Sequence, residues 1–354
     1  MDASHTLLKE LTEAFGPPGH ETEIAGIMRK HLRGLGEVTQ DRLGSIICKQ
    51  RGKSEEPRIM MAGHMDEVGF MVKGVTKEGF VKFLPMGGWW GHVLLAHKVR
   101  IRTAKGDVLG VVGSKPPHEL QEDERRKVMD IKDMFIDVGA TSYFDVKKRL
   151  GIGPGDPIIP EAPFSVMSND RLYLAKALDN RVGCALVVDA LRRLAKAPHP
   201  NTVYGVATTM EEVGLRGAQT SVAAVKPNVA IALDVGIAHD TPGSLGDGDE
   251  KLGGGAGILV YDASMIPNVK LRNLAIEICD KQKIPYHLGT VERGGTDAGR
   301  FHIYDTGVPS LVIFIPTRYI HSHSTIMDRK DDDAAVRLLV ELTKRLDRKT
   351  VDNL

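Results

Sequence analysis

Residues 58–70 read RIMMAGHMDEVGF, an unbroken apolar run that stops at His64 and is followed at once by Asp66 and Glu67. A strand buried on both faces of a parallel sheet has this texture. In open α/β sheets ligands bind beyond the carboxyl ends of the strands, so the residues that terminate such a run mark where chemistry is to be sought. The same grammar recurs along the chain. TVYGVATTM at 202–210 runs into Glu211 and Glu212, NVAIALDV at 228–235 reaches Asp234, and PSLVIFIP at 309–316 leads to a loop carrying His321 and His323. Helical periodicity fills the intervals at 180–196, 268–282 and 331–347, with Asp179 opening the first of these. Nearer the start, LLKELTEAF and ETEIAGIMRKHLRGLG read as two helices separated by the break GPPG at 16–19, and SIICKQ at 45–50 reads as a strand beside 58–64. Strands alternating with helices predict a mainly parallel sheet with helices on both faces.

Between about 68 and 163 the texture changes to short β runs divided by glycine turns, as in GFMVKGVTKEGFVKFLP and HKVRIRTAKGDVLGVVG. That pattern predicts a small β domain or barrel. Residues 1–68 and 168–354 then form one α/β unit, interrupted by an inserted β unit at 69–167. Inside the insert, HELQEDERRKVMDIKD at 118–133 is dense in charge and is expected to be a solvated loop or exposed helix.

The chain of 354 residues carries 47 Lys plus Arg against 46 Asp plus Glu, a formal net charge of +1, which supplies no long-range field to recruit nucleic acid or an anionic membrane. The apolar stretches fall short of the roughly 18 residues needed to span a bilayer, and the first residues lack a basic segment followed by an apolar one. These features predict a soluble, cytoplasmic protein. Cys48, Cys184 and Cys279 are odd in number and far apart, which fits neither a disulfide framework nor a cysteine zinc site. LGGGAG at 252–257 precedes a strand-like run and is not followed by GK[ST], so it is not a phosphate loop.

Taken singly, Asp179 reads as a helix cap, Asp66 as a turn residue and Glu211–Glu212 as an exposed acidic pair. Together they place several carboxylates and imidazoles on one rim of the sheet. So many carboxylates cannot share a small volume in ionised form unless cations lie among them. Mixed His and carboxylate donors suit Zn²⁺, Co²⁺ or Mn²⁺, and their number exceeds the needs of one tetrahedral ion. Two ions about 3.5–4 Å apart would use them all.

GHMDEVGF at 63–70, ALDNRVG at 177–183, EEVGLRGA at 211–218, ALDVG at 232–236, GGTDAG at 294–299 and RYIHS at 318–322, in that order, closely resemble the M42 family of dinuclear metallo-aminopeptidases, across essentially the whole chain. The resemblance implies a zinc-peptidase-like α/β domain interrupted by a β-barrel or PDZ-like dimerisation domain. It implies that two divalent ions are held by His64 and Asp234 on one side and by Glu212 and His321 on the other. Asp179 bridges both and is followed by a cis Asp179–Asn180 bond. His321 is preferred over His323 because it is the histidine of RYIHS; by spacing alone the two are indistinguishable. Glu211 is implied as the general base.

Asp66, two residues after His64, is expected to accept the second N–H of that imidazole and so fix its tautomer. Gly294, Gly295, Thr296 and Asp297 are expected to line the pocket for the first substrate side chain. The expected substrates are short unfolded peptides, recognised by their free α-amine. The expected assembly, again implied by the resemblance, runs through dimers to a tetrahedral dodecamer. Competing readings are a two-metal deacylase or carboxypeptidase on a related scaffold, and a non-catalytic accessory protein of the same fold.

Overall fold

The apolar runs lie side by side at the centre of an eleven-stranded sheet in the computed structural model, which describes residues 2–244 and 248–354. Thr202–Thr208, Arg58–His64, Val229–Ile237 and Ser310–Arg318 are neighbours in that order and run parallel. Thr208 is level with His64 and Asp234 with Phe314, so all four strands end along one edge. Antiparallel strands extend the sheet on either side. Glu37–Gln40 and Ile46–Arg51 continue it beyond Thr202–Thr208; Thr325–Asp328, Leu172–Ala175 and Ser165–Val166 continue it beyond Ser310–Arg318.

Helices cover both faces, as the alternation requires. One face buries Leu7, Leu11, Met28, Val182, Leu186, Leu271 and Leu339 against Ile59, Met61 and Ile231. The other buries Ala218, Val222 and Phe301 against Met60, Ala62 and Val312. Successive strand residues point to opposite faces, which is why the same strand feeds both cores. Helix Leu178–Leu194 crosses the sheet centre and comes unusually close to it. A Cβ on Gly63 would lie 2.5 Å from the Gly183 carbonyl carbon, and one on Gly183 would lie 2.6 Å from the Leu233 oxygen. Only glycine at both positions lets the start of this helix sit against the ends of the strands. All three cysteines are buried and free, as small packed hydrophobes.

The inserted segment closes a barrel from Gly69–Val75, Val81–Met86, Phe135–Asp137, Gly106–Gly113, Lys98–Thr103 and Pro157–Pro160. Its strands alternate, as Lys98–Thr103 illustrates with Val99, Ile101 and Thr103 inward, and Phe70, Phe83, Ile136 and Ile158 fill the middle. Closure leaves these strands without an open edge. The charge-dense stretch at 118–133 contains only a short helix, Glu122–Arg125, and short 3₁₀ turns, with exposed ion pairs such as Lys127–Asp123. In the glycine-rich loop after 251, Asp331 accepts the N–H groups of Gly253 and Gly255 at 2.8 and 2.7 Å, so those backbone donors already have an anionic partner within the chain.

Beneath the edge where the parallel strands end lies a buried ionic knot. Glu67 accepts from Lys176 Nζ at 2.8 and 2.9 Å and from Arg181 Nη2 at 3.2 Å, and none of the three side chains is more than 2% exposed. Arg181 also donates to the carbonyls of Leu11 and Gly16, and Lys176 to that of Ala14, so the knot fastens the first helix and the loop after it to the sheet. Burial lowers the Lys176 pKa, with Glu67 acting against that effect. Replacing Glu67 with Gln strands two buried cations without an anion. The expected cost is about 3–5 kcal/mol, to be read by denaturant unfolding at one fixed protein concentration; an unchanged midpoint and slope would contradict it.

Candidate metal centre

The common edge of the parallel strands gathers the polar residues that terminate them. His64 closes one strand, Glu211 and Glu212 follow the next, Asp234 lies within the third, and His321 sits in the loop beyond the fourth. His64 Nε2 is 3.1 Å from Asp179 Oδ1 and 4.0 Å from Asp234 Oδ1. His321 Nε2 is 3.1 Å from Asp179 Oδ2 and 3.6 Å from Glu212 Oε1. Three groups of metal-binding type result among the described residues, His64–Asp179–Asp234, Asp179–Glu212–His321 and His64–Glu211–Glu212, each with its donor atoms within 4.8 Å of one another. Asp179 belongs to the first two and offers a different oxygen to each, Oδ1 toward His64 and Oδ2 toward His321. Glu211 lies at the border of the first cluster, its Oε2 3.7 Å from His64 Nε2.

The local backbone explains how Asp179 reaches this point. It does not cap the helix: its φ/ψ of −81°/106° and those of Asn180, −125°/44°, are non-helical, and the bond between them is cis. Asn180 donates to the Leu233 carbonyl at 2.7 Å and accepts from Gly183 N–H at 3.0 Å, which pins the bend to the strand bearing Asp234. Ala177, Met210 and His321 all have φ between 53° and 56°, one beside each ligand-bearing bend. Non-glycine residues hold that left-handed conformation only where the surroundings enforce it.

The expectation for Asp66 is corrected in one respect. Its carbonyl oxygen, not its carboxylate, receives His64 Nδ1 at 3.0 Å; the nearer carboxylate oxygen is 3.6 Å away. A carbonyl can only accept, so Nδ1 carries a proton, and Nε2 is the nitrogen whose lone pair would face the cluster in the neutral ring. The carboxylate is engaged elsewhere, accepting the N–H groups of Glu211 and Glu212, both at 3.0 Å. His321 and His323, equivalent by spacing, are separated by geometry. His323 is buried with Nε2 3.2 Å from the Lys98 carbonyl and its ring stacked on His97 at 4.3 Å; burial first, and His97 second, push it down to about 4.

The 294–297 loop is split. Gly294 and Gly295 are exposed, whereas Thr296 bonds Asp262 at 2.8 Å and Asp297 accepts from Thr208 Oγ1 at 2.5 Å. Asp297 is 2% exposed, and burial pushes its carboxyl up to about 6. Sequence reasoning missed the contribution of the barrel. Its loop after Met86 roofs the site so closely that a Cβ on Gly87 would stand 3.0 Å from Glu212 Oε2 and one on Gly88 would stand 3.1 Å from His321 Nδ1. The glycine pair in PMGGWWGH is the signal that a close approach was needed.

Electrostatics test whether cations fit here. Burial, followed by repulsion from Asp179, pushes both Glu212 and Asp234 up to about 8, and burial raises Glu211 well above the carboxylate range, with Asp234 and Glu212 adding to it. Burial opposes a charge on His64 and His321, yet the surrounding carboxylates prevail and lift His64 well above its ordinary value and His321 to about 9. Glu212 Oε1 is buried and makes no hydrogen bond, with His321 Nε2 no nearer than 3.6 Å. Protein groups alone therefore leave the acidic side of this cluster under-compensated, and divalent cations are the counter-charge that the donor set fits.

A sequence model of the M42 glutamyl aminopeptidase family matches residues 44–338. This chain belongs to the M42 family of aminopeptidases. As an M42 member it is a peptide hydrolase of a metal-dependent family. It is 35% identical over 346 residues to the lysyl aminopeptidase of Pyrococcus furiosus, covering 96% of each chain. The TET aminopeptidase from the marine sediment archaeon Thaumarchaeota archaeon SCGC AB-539-E09 superposes with a TM-score of 0.97 at 48% identity, over 100% of this chain and 99% of that one. The TET1 peptidase of Pyrococcus horikoshii, which can assemble into a tetrahedron or a large octahedral shell, gives 0.86 at 29% identity, over 97% of this chain and 100% of that one. Among the described residues no helix is long and apolar enough to cross a membrane.

Proposed function

We propose that this M42 peptidase is a two-metal aminopeptidase that removes N-terminal residues from short unfolded peptides. The observation that carries the reading is the sharing of Asp179 by two donor clusters, one oxygen facing His64 and the other His321. One ion is assigned to His64, Asp179 and Asp234 and the other to Asp179, Glu212 and His321, with Zn²⁺, Co²⁺ and Mn²⁺ as the metals this donor set suits. Such ions, when bound, supply Lewis acidity that polarises a scissile carbonyl and makes water easier to deprotonate.

The chain's own residues do the rest. Glu211 is assigned as the base: it takes a proton from the attacking water and returns it to the amine that departs as the C–N bond breaks. Its burial, and its neighbours Asp234 and Glu212, favour proton uptake. The acidic rim pairs with a free α-ammonium and offers nothing equivalent to an internal amide, which limits cleavage to the first residue. Gly294, Gly295, Thr296 and Asp297 are assigned to the wall of the first side-chain pocket. Family relatives bear both glutamyl and lysyl names, so side-chain preference is a matter for substrate profiling.

We further assign residues 1–68 and 168–354 to the catalytic unit and residues 69–167 to a dimerisation unit. The likeness to shell-forming TET peptidases supports assembly through dimers into a tetrahedral dodecamer in the cytoplasm.

The test is chelation followed by refilling with each metal, assayed on an aminoacyl anilide, the same anilide N-acetylated, and a short peptide. The expected result is loss of turnover on stripping, recovery on refilling, and no cleavage of the acetylated substrate. Preference for N-acyl amino acids would support a deacylase instead, and full activity after stripping would end the two-metal reading.

A further inference from the structure

The bend that carries Glu211 and Glu212 is held by a residue that no step above uses. Glu21, 7% exposed, ends the GPPGHE loop between the first two helices. Its Oε1 accepts the Gly19 N–H at 2.9 Å and, far away in sequence, the Met210 N–H at 3.0 Å. Asp66 takes the next two amides, Glu211 through Oδ1 and Glu212 through Oδ2. Three successive N–H groups thus end on two carboxylates from different parts of the chain.

The division of labour matters. Met210, at φ 53°, precedes the base, whereas Glu212, the assigned ligand, is fixed by Asp66 independently of Glu21. The loop bearing Glu21 is itself anchored: the Gly16 carbonyl accepts from Glu67 N–H at 3.1 Å and from Arg181 Nη2 at 3.0 Å. Glu21 therefore works from a fixed point and acts on the backbone immediately before Glu211.

We propose that Glu21 is a positioning residue for catalysis, setting the direction of the Glu211 carboxylate through its bond to the Met210 amide. The proposal rests on the reading of Glu211 as the base. A displacement of about 1 Å in a catalytic group costs about 10²-fold in rate, while binding that depends on other contacts is spared.

Two substitutions separate reach from charge. Glu21→Gln keeps an oxygen at the same distance and removes the charge; Glu21→Asp keeps the charge and shortens the arm. Each is purified as the metal-loaded enzyme beside wild type and Glu211→Gln, and kcat, KM, metal content per subunit and hydrogen exchange at the Met210 amide are measured. Glu21→Gln is expected within about threefold of wild type in kcat. Glu21→Asp is expected to lose about 10- to 100-fold in kcat, with KM within about twofold, full metal content and faster exchange at Met210. Wild-type kcat or unchanged exchange in Glu21→Asp would overturn the proposal, as would a Gln variant as slow as the Asp variant, or a loss of rate that tracks loss of metal. Normal turnover by Glu211→Gln would instead remove the reading beneath it, while the exchange data would still report whether Glu21 holds the bend.

Discussion

Glu211→Gln is expected to fold, assemble and bind metal as the wild type does, and to lose about 10²–10⁴-fold in kcat. The side chain keeps its shape and its place 3.7 Å from His64 Nε2, but an amide cannot take the proton of the attacking water. The five residues assigned to the ions remain in place, so metal content per subunit should equal that of wild type. Steady-state rates on an aminoacyl anilide, paired with elemental analysis of the same sample, check both halves. A variant that keeps most of its rate would assign the proton transfer to some other group; one that arrives without metal would make Glu211 a ligand.

Asp179→Ala has a different expected signature. It deletes the one side chain that belongs to both of the sets assigned to the ions and removes the 3.1 Å partner of each imidazole. Neither of these two sets then has three donors, so metal content should drop at both assigned positions and turnover should fall by more than about 10³-fold. Circular dichroism should match wild type, because the helix that follows is packed along its length by Val182, Leu186 and Leu191. Full metal occupancy in this variant would refute a bridging role.

The catalytic edge was legible because strands buried on both faces must be apolar throughout. The points where Arg58–His64 and Thr202–Thr208 turn polar therefore stood out without any fold in hand. The barrel was legible from its glycine-punctuated β runs. Edge strands were not: Glu37–Gln40 is largely exposed, and Ser165–Val166, near the end of the insert, pairs with Leu172–Ala175 in the large sheet. Short, half-solvated segments carry too little pattern to announce themselves.

At the site, residue types and order pointed to the side chains that cluster there, but what each of them touches was beyond reach. Sequence spacing placed Asp66 beside His64 without revealing that its carboxylate is occupied by the amides of Glu211 and Glu212. Nor did it show that Glu67, in the first motif, neutralises Arg181, in the second, or that GPPGHE is more than a helix break. Those are contacts between distant stretches, created only when the chain closes on itself. The difference between His321 and His323 was of the same kind: one ring lies among the carboxylates and the other turns beneath Lys98.

The barrel strands begin just after Glu67, and the chain re-enters the large sheet at Ser165–Val166 and runs through Leu172–Ala175 directly into Lys176, the buried ion-pair partner of Glu67. The insert's comings and goings are thus clamped together, like the two feet of an arch on a single plinth, and its crown at Gly87 and Gly88 comes back down onto Glu212 and His321. An evolutionary or engineered exchange of this module is consequently constrained twice. The replacement must match the footing, and it must also carry a stretch bare of side chains where it overhangs the candidate metal centre.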